Sequence, residues 1–109
     1  MKVAVIGSRS LNIDISKYIP KETSCIITGG AKGIDSIAKQ YAIDNNIELI
    51  EIKPEYGRYG KAAPVLRNKT IIDKADYVLA FWNGESKGTK SAFNYARKIG
   101  KKNRVFLFF

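Results

Sequence analysis

Glycines with hydroxyl or cationic neighbours recur at three places in the chain. They lie at 7–10 (GSRS), 29–33 (GGAKG) and 83–89 (NGESKGT). Glycine lets a backbone approach a ligand closely, and the free N–H groups at the start of a helix attract anions such as phosphate. The three segments therefore have the residue types of a phosphate-binding site. Neither GxGxxG nor GxxxxGK[ST] is met in full, so the spacing alone names no cofactor.

The composition excludes several kinds of catalysis. The chain has no histidine and a single cysteine, Cys25, which removes Ser-His and Cys-His nucleophile pairs, histidine and cysteine metal sites, and disulfides. We expect neither a metal nor a bound cofactor. Acidic side chains remain as possible bases, but no evident pair of them falls in the predicted site, so we expect binding without turnover and assign no catalytic residue. These acidic residues are Asp35, Asp73, Asp76, Glu55 and Glu85.

Short apolar runs alternate with segments of helical spacing along the whole chain. The apolar runs, rich in branched and aromatic residues, predict strands at 2–6, 24–28, 48–53, 76–82 and 104–109. The segments between them predict helices at 11–19, 33–45, 63–74 and 88–99. This alternation predicts an α/β fold, a Rossmann-like three-layer α/β/α sandwich with a five-stranded parallel sheet in the order 3-2-1-4-5. We expect one domain over residues 1–109. Residues 53–64, with two Pro, two Gly and two Tyr, predict a surface loop that is neither helix nor strand.

The predicted sheet brings the glycine segments together, because ligands bind outside the carboxyl ends of parallel strands. A helix that begins near Gly33 and another near Gly88 would direct N–H groups at the ligand. In the first turn of its helix, Asp35 suits the positive dipole end and a capping role, with contact to the ligand as the less favoured alternative. Tyr56 and Tyr59 are candidates for stacking against a base, with packing of their loop as the alternative. The predicted ligand- or phosphate-binding residues are Gly7, Ser8, Arg9, Ser10, Gly29, Gly30, Lys32, Gly33, Arg67, Asn68, Gly84, Ser86, Lys87, Gly88 and Thr89.

The chain is strongly basic. Nineteen Lys and Arg face ten Asp and Glu, a net charge of +9 that favours anionic partners. Residues 84–104 alone carry seven Lys or Arg against one Glu, which predicts either a nucleic-acid patch or a solvated helix face. No run of about 18 apolar residues is present, so we expect a cytoplasmic protein without a membrane partner. The apolar run at 106–109 (FLFF) predicts an edge strand that a second copy would protect, hence a homodimer.

Two blocks of the sequence resemble a known superfamily. VAVIGSRS (3–10) and IITGGAKGIDSIAKQYAI (26–43) resemble the GSR and SGGARGIDxxAHxxAL motifs of DprA, the DNA-processing protein of bacterial transformation. With LRN (66–68) and GESKGTKSAF (84–93), the chain looks like a minimal member of the SLOG superfamily. That superfamily groups DprA, the LOG cytokinin-activating enzymes and small stand-alone proteins of the YspA kind. Among these, the DprA core is the closest match in motifs.

The resemblance implies a Rossmann-like domain that binds nucleotides or single-stranded nucleic acid at the strand ends. LOG enzymes are similar at PGGxGTxxE, where the glutamate and an arginine cleave an N-glycosidic bond. Arg67 can stand for that arginine, but Thr89 is followed by Lys90, Ser91 and Ala92, so the glutamate is missing. We expect a nucleotide or nucleotide-derived ligand, bound without turnover. The alternative is DprA-like binding of single-stranded DNA or RNA, and a LOG-like hydrolase is the least favoured.

Overall fold

A five-stranded parallel sheet forms the middle of the protein, and its strands, numbered along the chain, lie in the order 3-2-1-4-5. The computed structural model describes residues 1–109. The strands are β1 (Lys2–Gly7), β2 (Cys25–Thr28), β3 (Glu48–Glu51), β4 (Tyr77–Trp82) and β5 (Asn103–Leu107). The helices are α1 (Ile34–Asp44), α2 (Tyr56–Tyr59), α3 (Ala63–Lys74) and α4 (Lys87–Lys98). The predicted α/β class and strand order are confirmed.

Helices cover both faces of the sheet, which confirms the three-layer arrangement. On one face α3 and α4 pack against β1, β2 and β4 through side chains such as Ile71, Ile72 and Phe93. On the other face α1 buries Ile34, Ala38 and Ala42, which are spaced four residues apart as on one face of an amphipathic helix. The middle strands β1 and β4 are buried on both faces, which explains their continuous apolar sequence. No helix here combines the length and the apolar composition that a membrane span requires.

The predicted helix at 11–19 is wrong. Only a single 3-10 turn forms there, at Ser16–Tyr18. Asp14 Oδ1 accepts hydrogen bonds from both the N–H (2.9 Å) and the hydroxyl (2.7 Å) of Ser16, a local turn that competes with helix formation. The apolar residues Leu11, Ile13 and Ile15, spaced two apart, pack on the α1 face of the sheet from this non-helical chain.

The prediction that 53–64 contains no helix is also wrong, although the segment does lie at the surface. Tyr56–Tyr59 forms one α-helical turn and Gly60–Ala62 a 3-10 turn that leads into α3. Glu55 O accepts hydrogen bonds from the N–H groups of Arg58 (3.1 Å) and Tyr59 (3.0 Å). The positive φ of Gly60, 56°, ends the α-helical turn. The glycine therefore separates two short helical segments and does not keep the whole segment from being helical.

One side of the β5 backbone has no partner strand. Val78 N–H donates to Lys102 O (2.9 Å) and Phe108 N–H donates to Trp82 O (2.8 Å), so the even-numbered residues around β5 direct their backbone groups at β4. The residues between them therefore point N–H and C=O away from the sheet, where no strand lies because β5 is the last strand. These edge residues are Asn103, Val105 and Leu107.

We propose that a second copy of the chain pairs antiparallel with this edge, centred on Val105. This register joins Asn103 to Leu107 of the second copy through their outward backbone groups. It also sets Arg104 across from Phe106, a pair that already shows a cation–π contact of 5.1 Å within the chain, and keeps the two arginines from facing each other. The opposite edge strand, β3, has a glutamate at each end, and such charges oppose pairing.

The proposed pairing predicts a specific effect of Val105→Pro. Proline removes an N–H that points away from β4, so the ladder of the sheet is kept while the central edge donor is lost. We expect sedimentation equilibrium to show a dimer for the wild type and a dissociation constant raised at least tenfold in the variant. Val105→Ala keeps the N–H and controls for lost side-chain packing. A wild type that stays monomeric at all concentrations, or a proline variant that dimerises normally, would contradict the proposal.

Candidate functional site

The ends of β1, β2 and β4 open into a cavity of about 410 Å³, bounded by the start of α1, the face of α3 and the start of α4. The cavity lies at the carboxyl ends of the parallel strands, where the sequence predicts a ligand site. Eight of the predicted residues line it: Gly7, Arg9, Ser10, Arg67, Asn68, Ser86, Gly88 and Thr89. Their role in binding a ligand stays a prediction.

Two glycines allow the strand-end loops to touch. A Cβ on Gly33 would lie 2.5 Å from Arg9 O, and the φ of Gly33, 73°, is one that L side chains rarely adopt. A Cβ on Gly7 would lie 2.5 Å from Ile34 Cγ1 and 2.7 Å from Phe81 O. Gly7 and Gly33 are therefore required for the close packing of α1 against the ends of β1 and β4, whether or not a ligand is bound.

Asn83 ties the end of β4 to the end of β1. Its Nδ2 donates to Ser10 Oγ (2.9 Å), and its backbone N–H donates to Ser8 Oγ (3.1 Å). Its Oδ1 accepts from the N–H groups of Glu85 and Ser86, both at 2.9 Å. Asn83 is absent from the predicted ligand-binding set, although its position directly after β4 predicts that it lies in the crevice at the strand ends, and it does line the cavity. The buried Ser8 does not line the cavity and serves this network instead.

The start of α4 presents free N–H groups beside the cavity. Ser86 is the N-cap: its Oγ accepts from Thr89 N–H (3.3 Å) and its backbone O accepts from Lys90 N–H (3.2 Å). Trp82 Nε1 also donates to Ser86 O (2.9 Å), which fixes the cap against the sheet. The first two N–H groups, of Lys87 and Gly88, have no acceptor within the helix. Because the positive dipole end adds to them, this is an anion-attracting edge of the cavity.

A buried arginine lines the cavity from α3. Arg67 is 9% exposed, and its Nη1 donates to Gly29 O (3.1 Å) and Ile52 O (3.4 Å). Its Nε donates to Asn68 Oδ1 (2.8 Å). Burial lowers the pKa of Arg67, an effect that nearby Asp35 opposes, but a guanidinium remains charged at neutral pH. Nη2 makes no hydrogen bond within the chain, and no fully buried side-chain N or O lacks a partner, so Nη2 is accessible to solvent.

Asp35 is the one acidic side chain that lines the cavity. It is 7% exposed, and its Oδ2 accepts from Ala31 N–H (3.1 Å), so it braces the glycine loop in the capping manner expected of a first-turn carboxylate. Burial raises the pKa of Asp35, and the Ala31 hydrogen bond and the charge of Arg67 only partly offset this. Capping is the role that the sequence favours for Asp35 over ligand contact, and Asp35 is therefore absent from the predicted ligand-binding set although it lines the cavity.

Seven predicted ligand residues do not line the cavity. Gly29 lies beneath Arg67, Gly30 contacts Glu51 and Lys53 on the outer side of the loop, and Gly84 lies next to Phe109. Lys32 and Lys87 are exposed at the surface. With the buried Ser8 and the packed Gly33, they are close in sequence to cavity residues but are not part of its wall.

The two candidate stacking residues lie outside the cavity. Tyr56 and Tyr59 are on α2, 56% and 41% exposed. Tyr59 borders a separate groove of about 380 Å³ along α3, which also contacts Leu66 and Tyr95. Arg67 lines both the groove and the cavity and so separates them.

The basic residues near the chain's end lie at the opposite end of the sheet from the cavity. Lys98 ends α4, and Lys101 and Lys102 precede β5, which runs toward the cavity end. Lys101 Nζ donates to Asp73 O (3.4 Å) and Ala75 O at the end of α3, a capping role. Lys102 Nζ lies 4.6 Å from the centre of the Tyr77 ring.

Comparison with known proteins identifies the family. The model of the YspA, cpYpsA-related SLOG family matches residues 1–59, more than half of the chain. This protein belongs to that SLOG family. The matched range holds β1, β2, α1 and β3, and with them Arg9, the glycine loop and Asp35. The other side of the cavity, from α3 and α4, lies beyond it.

One viral protein is similar to this SLOG chain. The "Gene 61 protein" of Mycobacterium phage D29 is 38% identical over 81 residues, which cover 69% of this chain and 65% of the phage protein. The chain thus spans about two thirds of that relative's length. No solved structure matches.

The packing around Gly29 predicts that Gly29→Ala destabilises the fold. A Cβ there would lie 2.5 Å from Arg67 Nη1 and 2.8 Å from Asp35 Oδ2, both in buried residues that cannot move freely. We expect the free energy of unfolding, measured by urea denaturation, to fall by about 1–3 kcal/mol, as in other overpacked sites. Gly57→Ala is the matched control, because a Cβ at Gly57 meets nothing within 4 Å. Equal stabilities of the two variants would contradict this description of the site.

Proposed function

We propose that this protein binds a nucleotide or nucleotide-derived anion in the cavity and does not turn it over. The observation that carries the proposal is the meeting of two anion-attracting groups at one cavity. These are the open N–H group of Gly88 at the start of α4 and the buried guanidinium of Arg67. Membership of the SLOG family supports a nucleotide-related ligand.

The size and charge of the site support a small ligand. A volume of about 410 Å³ falls in the range of small-molecule pockets, typically about 300–1,000 Å³. Exposed Arg9 adds a cation at the β1 side of the cavity, where it can meet a phosphate without a large cost of desolvation. The net charge of +9 raises the local concentration of any anionic ligand.

The chain lacks the glutamate that the LOG pattern uses for hydrolysis. The glutamate of the LOG pattern corresponds in spacing to Ala92, and Ala92 lines the cavity. A carboxylate at that position would face the ligand, whereas alanine offers no proton donor or acceptor there. This is why we propose binding in preference to hydrolysis.

A specific observation favours single-stranded nucleic acid as the second candidate. Exposed Tyr56 and Tyr59 flank Arg58, whose guanidinium lies 5.1 Å from the centre of the Tyr59 ring. Aromatic and arginine surfaces of this kind stack on bases irrespective of sequence. A strand held by its phosphate at the cavity would have to cross α3 to reach these tyrosines, since Arg67 separates the groove from the cavity.

The proposal predicts that Arg9→Ala weakens nucleotide binding. Isothermal titration with AMP should show a dissociation constant raised about tenfold, in line with loss of one charge-assisted hydrogen bond. Arg97→Ala is the control, because it removes the same charge from an exposed arginine at the far end of α4. Its affinity for AMP should change less than twofold.

Salt dependence separates the two candidates in the same experiment. Affinity for AMP should fall shallowly with salt, whereas binding of a single-stranded oligonucleotide through several phosphates falls steeply. Tight, steeply salt-dependent binding of the oligonucleotide with none of AMP would favour the second candidate. Absence of binding to AMP, other mononucleotides, dinucleotides and oligonucleotides would contradict both.

A further inference from the structure

We propose that Asp35 accepts a hydrogen bond from a ribose hydroxyl of the bound nucleotide, so that the site selects ribonucleotides over deoxyribonucleotides. This inference rests on the proposed nucleotide binding and adds to it a named contact and a class of ligand.

The first observation is that Asp35 and Arg67 approach each other without forming an ion pair. Both groups lie beside Gly29, since a Cβ there would be 2.8 Å from Asp35 Oδ2 and 2.5 Å from Arg67 Nη1. Yet the salt bridges in the structure, with N–O distances up to 4.0 Å, are Lys39–Glu51 and Arg58–Glu55 alone. Two buried residues of opposite charge thus line the same cavity without forming a salt bridge to each other.

The second observation is the chemistry of the two sides of the cavity. α1 packs on one face of the sheet and α4 on the other, so Asp35 and the start of α4 reach the cavity from different sides. The α4 side offers the N–H group of Gly88, which attracts a phosphate. The Asp35 side offers a carboxyl oxygen, which repels a phosphate and attracts a hydrogen-bond donor.

A ribonucleotide has both complementary groups a few bonds apart. Its phosphate suits the start of α4 and Arg67, and its 2′- or 3′-hydroxyl suits Asp35. A hydroxyl can donate to an ionised carboxylate and can also accept from a protonated one. The raised pKa of Asp35 therefore does not remove the contact as the pH falls. Burial of Asp35 makes the contact selective, because a ligand that lacks the hydroxyl cannot make this hydrogen bond and leaves the buried carboxyl group with the Ala31 N–H bond but without the ligand's.

The test compares AMP, 2′-deoxy-AMP and 3′-deoxy-AMP by isothermal titration against the wild type, Asp35→Asn and Asp44→Asn. Asparagine has the shape of aspartate and keeps an oxygen for Ala31 N–H, so the loop should hold its conformation. Asp44→Asn is the matched control: it removes the same charge from the same helix, at an exposed position where the Asp44 side chain accepts a hydrogen bond from Gln40.

We expect the wild type and Asp44→Asn to bind AMP at least tenfold more tightly than one or both deoxy ligands. In Asp35→Asn this ratio should fall to about twofold, as expected when a charge-assisted hydrogen bond becomes a neutral one. Equal wild-type affinities for AMP and both deoxy ligands would overturn the inference and leave nucleotide binding intact. An unchanged ratio in folded Asp35→Asn would overturn the assignment to Asp35. Failure of every nucleotide to bind would instead overturn the proposed function. The wild-type ratio remains decisive even where a variant fails to fold.

Discussion

The contact of Gly33 with the backbone of Arg9 is the constraint on which the cavity depends. A side chain at Gly33 would displace the β1 loop, and with it the start of α1, because the Cβ would lie 2.5 Å from a carbonyl oxygen. Gly7 acts in the same way against Ile34 on the other side of that loop. These two close contacts bring a helix start, a strand end and a glycine loop together, and the Asn83 network then joins the end of β4 to them. Parallel sheets in general have a crevice at the carboxyl ends of their strands, and in this protein these contacts shape it into a polar cavity.

The cavity buries two charged side chains, and the fold alone does not explain the free-energy cost of burying them. A buried cation and a buried carboxylate destabilise the folded state unless they pair well, and Arg67 and Asp35 do not form an ion pair. Arg67 lines the cavity and is held largely by backbone oxygens, while its Nη2 makes no hydrogen bond within the chain. Perturbed charged groups of this kind cluster at functional sites, and a bound anion with hydroxyl groups would satisfy both. The Ala92 position, without the carboxylate of the LOG pattern, fits a site that holds its ligand without cleaving it.

Much of the fold could be predicted from the sequence, because apolar runs and turn residues alternate regularly and parallel sheets tolerate few topologies. The helix predicted at 11–19 does not form, because Asp14 and Ser16 make a turn whose hydrogen bonds replace those of a helix. The apolar spacing of this segment does not reveal that turn. For the site, the strand-end rule indicated Arg9 and Ser86, and the predicted helix at 63–74 together with the LOG resemblance indicated Arg67; all three line the cavity. The strand-end rule also included Gly33 and Ser8, because sequence alone cannot distinguish a residue needed for close packing from one that faces a ligand. The rule passed over Asp35 because a first-turn carboxylate already has a sufficient explanation as a cap.

The most direct test of the account is a two-dimensional ¹H–¹⁵N NMR titration of the labelled protein with AMP. We expect the amide signals of Gly88, Thr89 and Ala31 to shift progressively and saturate together, because these residues line the cavity. The amide chemical shifts of Gly100 and Lys101, just beyond the other end of α4, should not change. Saturable shifts confined to the cavity would support nucleotide binding at the strand ends. No shifts, or shifts restricted to the basic end of the sheet, would contradict it.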